Sequence, residues 1–118
     1  MTKPIGPYSP IVRAGDWLVC SGQLGLVDGK MVSGGVVAEV VQALANLDAL
    51  LAGEGATRAD VAKTTIFLRH MRDFSLVNAA YAEFFGEHRP ARSTVAVSEL
   101  PALGLVEVEA WAFVGSPS

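Results

Sequence analysis

The chain has 118 residues, a hydrophobic fraction of 51% and a formal net charge of −3 at pH 7. This length predicts a single domain covering residues 1–118. The acidic balance and the lack of a Lys/Arg-rich stripe argue against nucleic acid as a partner. No uninterrupted apolar run reaches the ~18 residues of a membrane helix. We therefore expect no membrane association, and we expect the surplus apolar surface to be buried between subunits.

The residue types that serve cofactors, metals and disulfides are sparse. Cys20 is the sole cysteine, which excludes an intrachain disulfide, and its apolar strand suggests an inert core position. The opening MTKPIGPYSP lacks the apolar core of a signal peptide, so a reduced, cytoplasmic setting is expected. His70 and His88 are isolated, and no phosphate loop or dinucleotide fingerprint occurs. We predict that the protein uses no metal and no organic cofactor.

The first half of the chain predicts short strands and one long helix. Strands are expected at 11–12, 17–24 and 30–32, with a hairpin signal at Asp28-Gly29 before the third. A helix is expected over 36–53, because apolar residues recur there at three- and four-residue steps. These residues are Val37, Val40, Val41, Leu44, Leu47, Leu50 and Leu51.

The second half predicts a strand, a helix and two closing strands. The strand covers 63–68, and Asp73 can cap a helix that runs to about residue 85. The closing strands cover 92–97 and 105–113. The apolar face of this helix consists of Phe74, Val77, Tyr81, Phe84 and Phe85. The order of elements favours an α+β fold in which both helices pack on one face of a mixed β-sheet, leaving the other face bare.

The closing strands each place a charged residue among apolar neighbours. In a strand, period-2 alternation puts Arg92 on one side and Val95 on the other. It also puts Glu107 and Glu109 opposite Val106. If each valine face is buried, Arg92 and Glu107 emerge together on the bare face of the sheet, beside Trp111 and Phe113. Two exposed aromatic residues there predict that another subunit covers this face.

A guanidinium and a carboxylate in one cleft suit a small-molecule site. Arg92 can hold a substrate carboxylate through paired donors, or it can form a structural salt bridge. Glu107 can orient or deprotonate a water, or it can be an ordinary solvated strand residue. Glu109 shares its face, so periodicity does not choose between the two glutamates.

Three further positions are candidates beside this pair. Tyr8 follows Gly6-Pro7 and either contacts a ligand or packs against the core. Ser21-Gly22-Gln23 ends a strand, where the glycine removes a side-chain obstruction or marks a β-bulge. Asn78 has poor helix propensity, and we expect it to hydrogen-bond a neighbouring segment.

These motifs together resemble the RidA (YjgF/YER057c/UK114) family of enamine/imine deaminases. The resemblance runs through IGPYSP, SGQ, VVQALANLDALLAGEGA and VAKTTIFL, and continues through DFSLVNAAYAEFFGEHRPARSTV to LPALGLVEVEA. It covers nearly the whole chain. The PARS segment followed by the VEVEA strand is its most specific part.

The resemblance implies a fold like the Bacillus chorismate mutase and a homotrimer with clefts between adjacent subunits. It implies that Arg92 binds the substrate carboxylate and that Glu107, rather than Glu109, orients the water. Substrate contacts are implied for Tyr8, Ser21, Gly22 and Thr94. Many deaminase members carry cysteine at the position of Thr94, which therefore bears on substrate preference and thiol-based regulation.

The implied activity is the hydrolytic deamination of reactive 2-enamine and 2-imine acids, such as 2-aminoacrylate, to 2-keto acids and ammonia. The chain would then be a 2-iminobutanoate/2-iminopropanoate deaminase-like hydrolase acting on C–N bonds. One alternative is an endoribonuclease or translation inhibitor, which a steep salt dependence of RNA binding would favour. Another is a non-catalytic trimer that binds small carboxylates, which ligand binding without turnover would favour.

Overall fold

The protein folds into one mixed sheet, one small hairpin and a layer of two helices. A computed structural model describes residues 6–115, so the first half of MTKPIGPYSP and the last three residues lie outside the described part. In the sheet, the strand order is β1-β2-β7-β5-β6, and only the β5–β6 pair is parallel. The strands are β1 Ile11–Ala14, β2 Trp17–Gln23, β5 Val61–Leu68, β6 Ala91–Ala96 and β7 Val106–Phe113, with hairpin strands β3 Leu26–Val27 and β4 Lys30–Met31. The helices are α1 Gly35–Gly53 and α2 Phe74–Phe85.

Helix α1 supplies the largest apolar contribution to the core. Its buried residues follow the helical period and pack on the sheet with Leu18, Ile66 and Val108. Two residues assigned to this face from the sequence, Val37 and Val41, instead point outward and are 41% and 55% exposed. The apolar stripe predicted for α1 was therefore too wide. The residues that α1 does bury are Val36, Glu39, Val40, Ala43, Leu44, Leu47, Leu50 and Leu51.

Helix α1 also passes a test of length and composition for a membrane span. Among the helices of residues 6–115 it is the one that does so. Four polar residues interrupt its apolar sequence, and its buried stripe packs on the sheet. This is the ordinary position of a core helix.

The hairpin turn predicted at Asp28-Gly29 is confirmed, and the ends of helix α2 are also defined. Asp28 and Gly29 have φ of 51° and 80°, and this pair of positive values is what a two-residue hairpin turn of the I′ type requires. Helix α2 ends at Gly86, which has φ of 65°. Asp73 occupies the N-cap position of α2 as predicted, but its side chain makes no capping hydrogen bond. A 3₁₀ turn, Met71–Asp73, leads directly into α2 instead.

Both helices lie on one face of the sheet, as the sequence predicts, and no helix of residues 6–115 covers the other, which we call the open face. Trp111 and Phe113 on that face are 44% and 48% exposed. Trp17 packs edge-to-face against both, with ring centroids 6.1 and 5.1 Å away. The α+β architecture is therefore confirmed, and the chain alone leaves aromatic surface in water.

The prediction that Arg92 emerges on this open face is wrong. In the parallel β5–β6 pair, Arg92 lies opposite Thr64, which is fully buried beneath the helices. Arg92 therefore points to the helix side, while Val95 is 43% exposed on the open side. The reason is that β6 is an edge strand, so a long side chain on its helix face lies beside α2 rather than beneath it.

Candidate active site

Arg92 lies on the helix side of β6, beside one stripe of helix α2. Its Nη2 donates a hydrogen bond of 2.6 Å to Oδ1 of Asn78. Its guanidinium carbon lies 4.8 Å from the Tyr81 ring centroid and 5.5 Å from that of Phe74. Both rings are within the range of cation–π attraction. The three partners, Phe74, Asn78 and Tyr81, are spaced four and three residues apart along α2. They therefore form one stripe of the helix, which holds the guanidinium from one side.

A buried hydroxyl pair anchors the aromatic part of this support. The hydroxyls of Tyr81 and Thr64 lie 2.7 Å apart, and both residues are buried. Burial raises the pKa of the Tyr81 phenol, while the Thr64 hydrogen bond and the charge of Arg92 act in the opposite direction. The phenol thus remains a neutral hydrogen-bonding group under the cation. The expected structural role of Asn78 is confirmed, and its partner is the candidate substrate-binding arginine.

Thr94 lies on the same side of β6 as Arg92. It pairs with the fully buried Ile66 in the parallel register and is itself half-buried. Its side chain therefore follows Arg92 along the helix-side edge of the sheet. Arg92, Thr94 and Asn78 form what we call the arginine half-site.

Glu107 lies on the opposite, open face of the sheet. It is half-buried in β7, between the fully buried Val106 and Val108. Its carboxylate lies directly against Gly22, since a Cβ built on Gly22 would be 2.5 Å from Oε2. The β2–β7 register shifts between Cys20 and Gln23, so the SGQ segment is also an irregular stretch of strand. Both interpretations of Gly22 therefore hold, as a strand irregularity and as the space that the carboxylate needs.

The environment of Glu107 suits a proton acceptor. Burial raises the pKa of its carboxyl above the ordinary value, and the negative charge of Glu109 adds to the increase. A raised pKa brings a carboxylate closer to the pH at which it can accept and return a proton. Glu107 and Glu109 share a face, but Glu107 is the one that packs against the SGQ segment.

Ser21, the neighbour of Gly22, connects β2 to the segment that follows Tyr8. The Ser21 hydroxyl donates to the carbonyl of Ser9 at 2.7 Å, and the Ser21 amide donates to the carbonyl of Pro10 at 2.8 Å. These bonds hold the segment after Tyr8 against the irregular end of β2. Tyr8 is 47% exposed. We call Tyr8, Ser21, Gly22 and Glu107 the glutamate half-site.

Within one chain the two half-sites lie on opposite faces of the sheet. Arg92 contacts α2, whereas Glu107 contacts Gly22 on the face that carries no helix. The backbone of the sheet separates them, and its helix side is covered by buried side chains such as Ile66 and Val108. A small molecule bound to Arg92 therefore cannot reach Glu107 of the same chain.

Two supporting groups were not recognised from the sequence. Phe74 and Tyr81 were assigned only to the apolar face of α2, although they also flank the Arg92 guanidinium. A polar residue in the same stripe, Asn78, was the available signal. Glu39 of α1 is buried among apolar residues. The periodicity of apolar residues does not predict this, because glutamate is not counted among them. Cys20 is buried as expected, and burial raises the pKa of its thiol to about 11.

The fold and the two half-sites define a two-layer α+β domain with a cation and a carboxylate exposed on opposite faces. The family model described as Endoribonuclease L-PSP matches residues 1–114. The RutC family protein PH0854 of Pyrococcus horikoshii is 43% identical over 113 residues, which cover 94% of this chain and 90% of that protein. The 2-iminobutanoate/2-iminopropanoate deaminase of Dermatophagoides farinae is 43% identical over 109 residues, covering 91% of this chain and 85% of that protein.

The solved structures agree with the sequence relatives. The crystal structure of a putative endoribonuclease from Thermotoga maritima superposes with a TM-score of 0.92 at 40% identity, covering 97% of this chain and 91% of that one. The chain belongs to the Endoribonuclease L-PSP family, the RidA family that its motifs indicated.

Gly22→Ala tests the contact between Gly22 and Glu107. The new methyl group would meet the end of a flexible side chain, so the protein should fold while the carboxylate is displaced. We expect kcat to fall by about 10–100-fold, because small misplacements of a reacting group have effects of this size. The matched control is Gly53→Ala, where nothing lies within 4 Å of the added carbon. Equal activity of the two variants would contradict the assignment.

The raised pKa of Glu107 predicts a dependence of stability on pH. Burial penalises the charged form of Glu107. Its cost to the stability of the fold is therefore smallest below the ordinary glutamate pKa of ~4.3, and stability is lost as the pH rises through the raised pKa of the folded state. Glu107→Gln removes this penalty. Its melting temperature should exceed that of the wild type near neutral pH, and the difference should vanish in acid.

Thermal unfolding across pH measures this effect. Glu109→Gln is the control, and its gain near neutral pH should be smaller because it removes only the second cause of the shift. A Glu107→Gln variant that is less stable than the wild type at neutral pH would show that Glu107 makes a favourable ionic contact instead.

Proposed function

We propose that this chain is a hydrolytic deaminase of 2-imino acids that acts as a homotrimer, with each substrate bound between the arginine half-site of one copy and the glutamate half-site of the next. The observation that carries the proposal is the position of Arg92 and Glu107 on opposite faces of one sheet. Chemistry that needs both groups therefore requires two chains. The name of the Dermatophagoides farinae relative, 2-iminobutanoate/2-iminopropanoate deaminase, supports the choice of reaction.

The surfaces of the chain support a second copy as the missing partner. The open face of the sheet combines half-exposed aromatic residues with the two carboxylates of β7, and such a face is unfavourable in water. The arginine half-site lies on β6, at the edge of the same sheet. An edge of one copy placed over the open face of another would bury the aromatic surface and bring a guanidinium near Glu107. Closed rotational symmetry repeats the same contact in each copy.

The proposed reaction needs only groups that this chain provides. Arg92, held by Asn78 and the two rings, binds the carboxylate of the imino acid through its planar fork of donors. Glu107 of the adjacent copy accepts a proton from a water as the water oxygen forms a bond to the imine carbon. The imine nitrogen takes up that proton, which yields a carbinolamine. The carbinolamine hydroxyl then gives its proton to the amino nitrogen as the C–N bond breaks, which releases ammonia and leaves the carbonyl of a 2-keto acid.

The energetic demand of this reaction is modest. Imines hydrolyse in water without a catalyst, so orientation of the water and one proton transfer provide useful acceleration. No step requires a metal or an organic cofactor. The fixed position of Arg92 and the raised pKa of Glu107 match these two requirements.

An endoribonuclease is the second candidate, because the family description and the Thermotoga structure carry that term. The net charge of −3 opposes the accumulation of a polyanion at the surface. The carboxylate of Glu107 would also repel an RNA phosphate that approached the glutamate half-site. RNA cleavage that persists after nuclease-free purification and depends on Arg92 would favour this alternative.

The function is tested with 2-aminoacrylate generated in situ by a dehydratase. Addition of the protein should raise the rate of pyruvate release above the uncatalysed rate. Arg92→Lys keeps the charge but loses the paired donors, so it should lose about 1.5–3 kcal/mol of substrate interaction. Unchanged kinetics in a folded Arg92→Lys trimer would show that Arg92 is structural.

Mixed trimers test whether two copies share each site. Copies carrying Arg92→Lys and copies carrying Glu107→Gln, each nearly inactive alone, are co-expressed with different tags and purified together. In each trimer that contains both kinds of copy, about one third of the clefts, one of the three, then joins an intact Arg92 to an intact Glu107. Activity should recover to that fraction of the wild type. No recovery in verified mixed trimers would place both residues in one chain.

A further inference from the structure

A buried carboxylate in helix α1 contacts the strand that carries Glu107. Glu39 is 5% exposed, and its Oε1 accepts a hydrogen bond of 2.8 Å from the backbone amide of Leu105. Leu105 immediately precedes β7 and stands two residues before Glu107. A charged residue is rarely buried in a core unless it makes a specific polar contact. The proposed chemistry does not use Glu39 directly.

The segment that Leu105 ends is a strained one. Ala102 and Leu103 both have positive φ, of 57° and 58°, a backbone region that costs about 1–3 kcal/mol for residues other than glycine. Leu103 is 94% exposed, so burial of its side chain does not stabilise this conformation. The entrance to β7 is held by the packing of Leu105 against the core and by two hydrogen bonds of its backbone. Its amide is bound by Glu39, and its carbonyl accepts from the amide of Arg69 at 3.0 Å.

The same turn of α1 also contacts the exit of β2. A Cβ built on Gly25 would lie 2.7 Å from the Cα and carbonyl oxygen of Glu39, so the backbones are in close contact there. Gly25 is two residues beyond Gln23, at the end of the SGQ segment. Glu39 thus lies between the two segments that bring Gly22 and Glu107 against each other.

We propose that Glu39 is a positioning residue for Glu107, acting through the hydrogen bond that its side-chain oxygen accepts from the Leu105 amide. The inference rests on the proposed function for its kinetic consequence. Glu107 has no free space toward Gly22, so a small displacement of the entrance to β7 moves the carboxylate relative to the substrate and its water. The required property of residue 39 is an acceptor oxygen at the right reach, and the charge itself is dispensable.

Glu39→Gln and Glu39→Met separate these properties. Glutamine keeps an acceptor oxygen of the same reach without the charge, whereas methionine keeps the length and loses the acceptor. We expect kcat of Glu39→Met to fall by about 10–100-fold with KM nearly unchanged, because Arg92 of the other copy still binds the carboxylate. Glu39→Gln should remain close to the wild type. The control is Gln42→Met. It removes a polar group one turn away from Glu39 whose hydrogen-bond partner, Asn46, lies in α1 itself.

The following kinetic results would overturn the proposal. If folded Glu39→Met turned over substrate at the wild-type kcat, Glu39 would serve stability alone. If Glu39→Gln were as slow as Glu39→Met, the charge rather than the acceptor would be the required property. Glu39→Asp covers the case in which the methionine variant does not fold. It retains a carboxylate but shortens its reach, so kcat should fall while the trimer persists, and an unchanged kcat would contradict the proposal.

Hydrogen exchange gives a readout that does not depend on catalysis. The amides of residues 105–107 should exchange faster in Glu39→Met than in the wild type, and at the wild-type rate in Glu39→Gln. An inactive wild type with this exchange pattern would refute the deaminase function while leaving the structural contact in place. An active wild type with identical exchange in all variants would refute the role of Glu39 and leave the function intact.

Discussion

The pairing of β5 with both of its neighbours determines where the functional groups lie. β5 is antiparallel to β7 and parallel to β6, and its buried residues Thr64 and Ile66 fix which side of each neighbour meets the helices. Because side chains alternate along a strand, this register leaves Arg92 with the helices and Glu107 on the open face. A shift of one residue in either pairing would reverse a half-site. The proposed division of the site between two copies follows from this register.

The core and the site impose different demands on the same elements. The apolar residues of α1 and the central strands need only to exclude water, and many arrangements of similar volume would achieve this. The half-sites need side chains that point in fixed directions, and polar contacts of defined geometry hold them there. Asn78 and the Tyr81–Thr64 pair serve the guanidinium in this way. Gly22 serves the carboxylate by the absence of a side chain.

The sequence predicted the elements because periodicity reports burial, and burial dominates helix and strand formation here. Strand β7 was correctly oriented, since its valines and alanines alternate with polar and aromatic residues over the whole strand. Alternation predicts the wrong orientation for β6, because Val95 is exposed rather than part of the core. At a sheet edge an arginine can lie over aromatic rings on the helix side, and alternation alone does not show which side that is. The side chain of Asp73 does not cap α2 for a related reason, since the preceding 3₁₀ turn depends on context beyond the local residue type.

The burial of Cys20 has a consequence for the chemistry that this protein can tolerate. Its thiol is the chain's only one, it is 2% exposed, and its pKa is raised to about 11. At neutral pH the thiolate is then only about one part in 10⁴ of the population, and it is the thiolate that oxidants and electrophiles attack. Thr94 adds no sulfur to the arginine half-site. Peroxide or an alkylating agent therefore finds no accessible cysteine in this chain, and none of the residues that define the two half-sites contains sulfur.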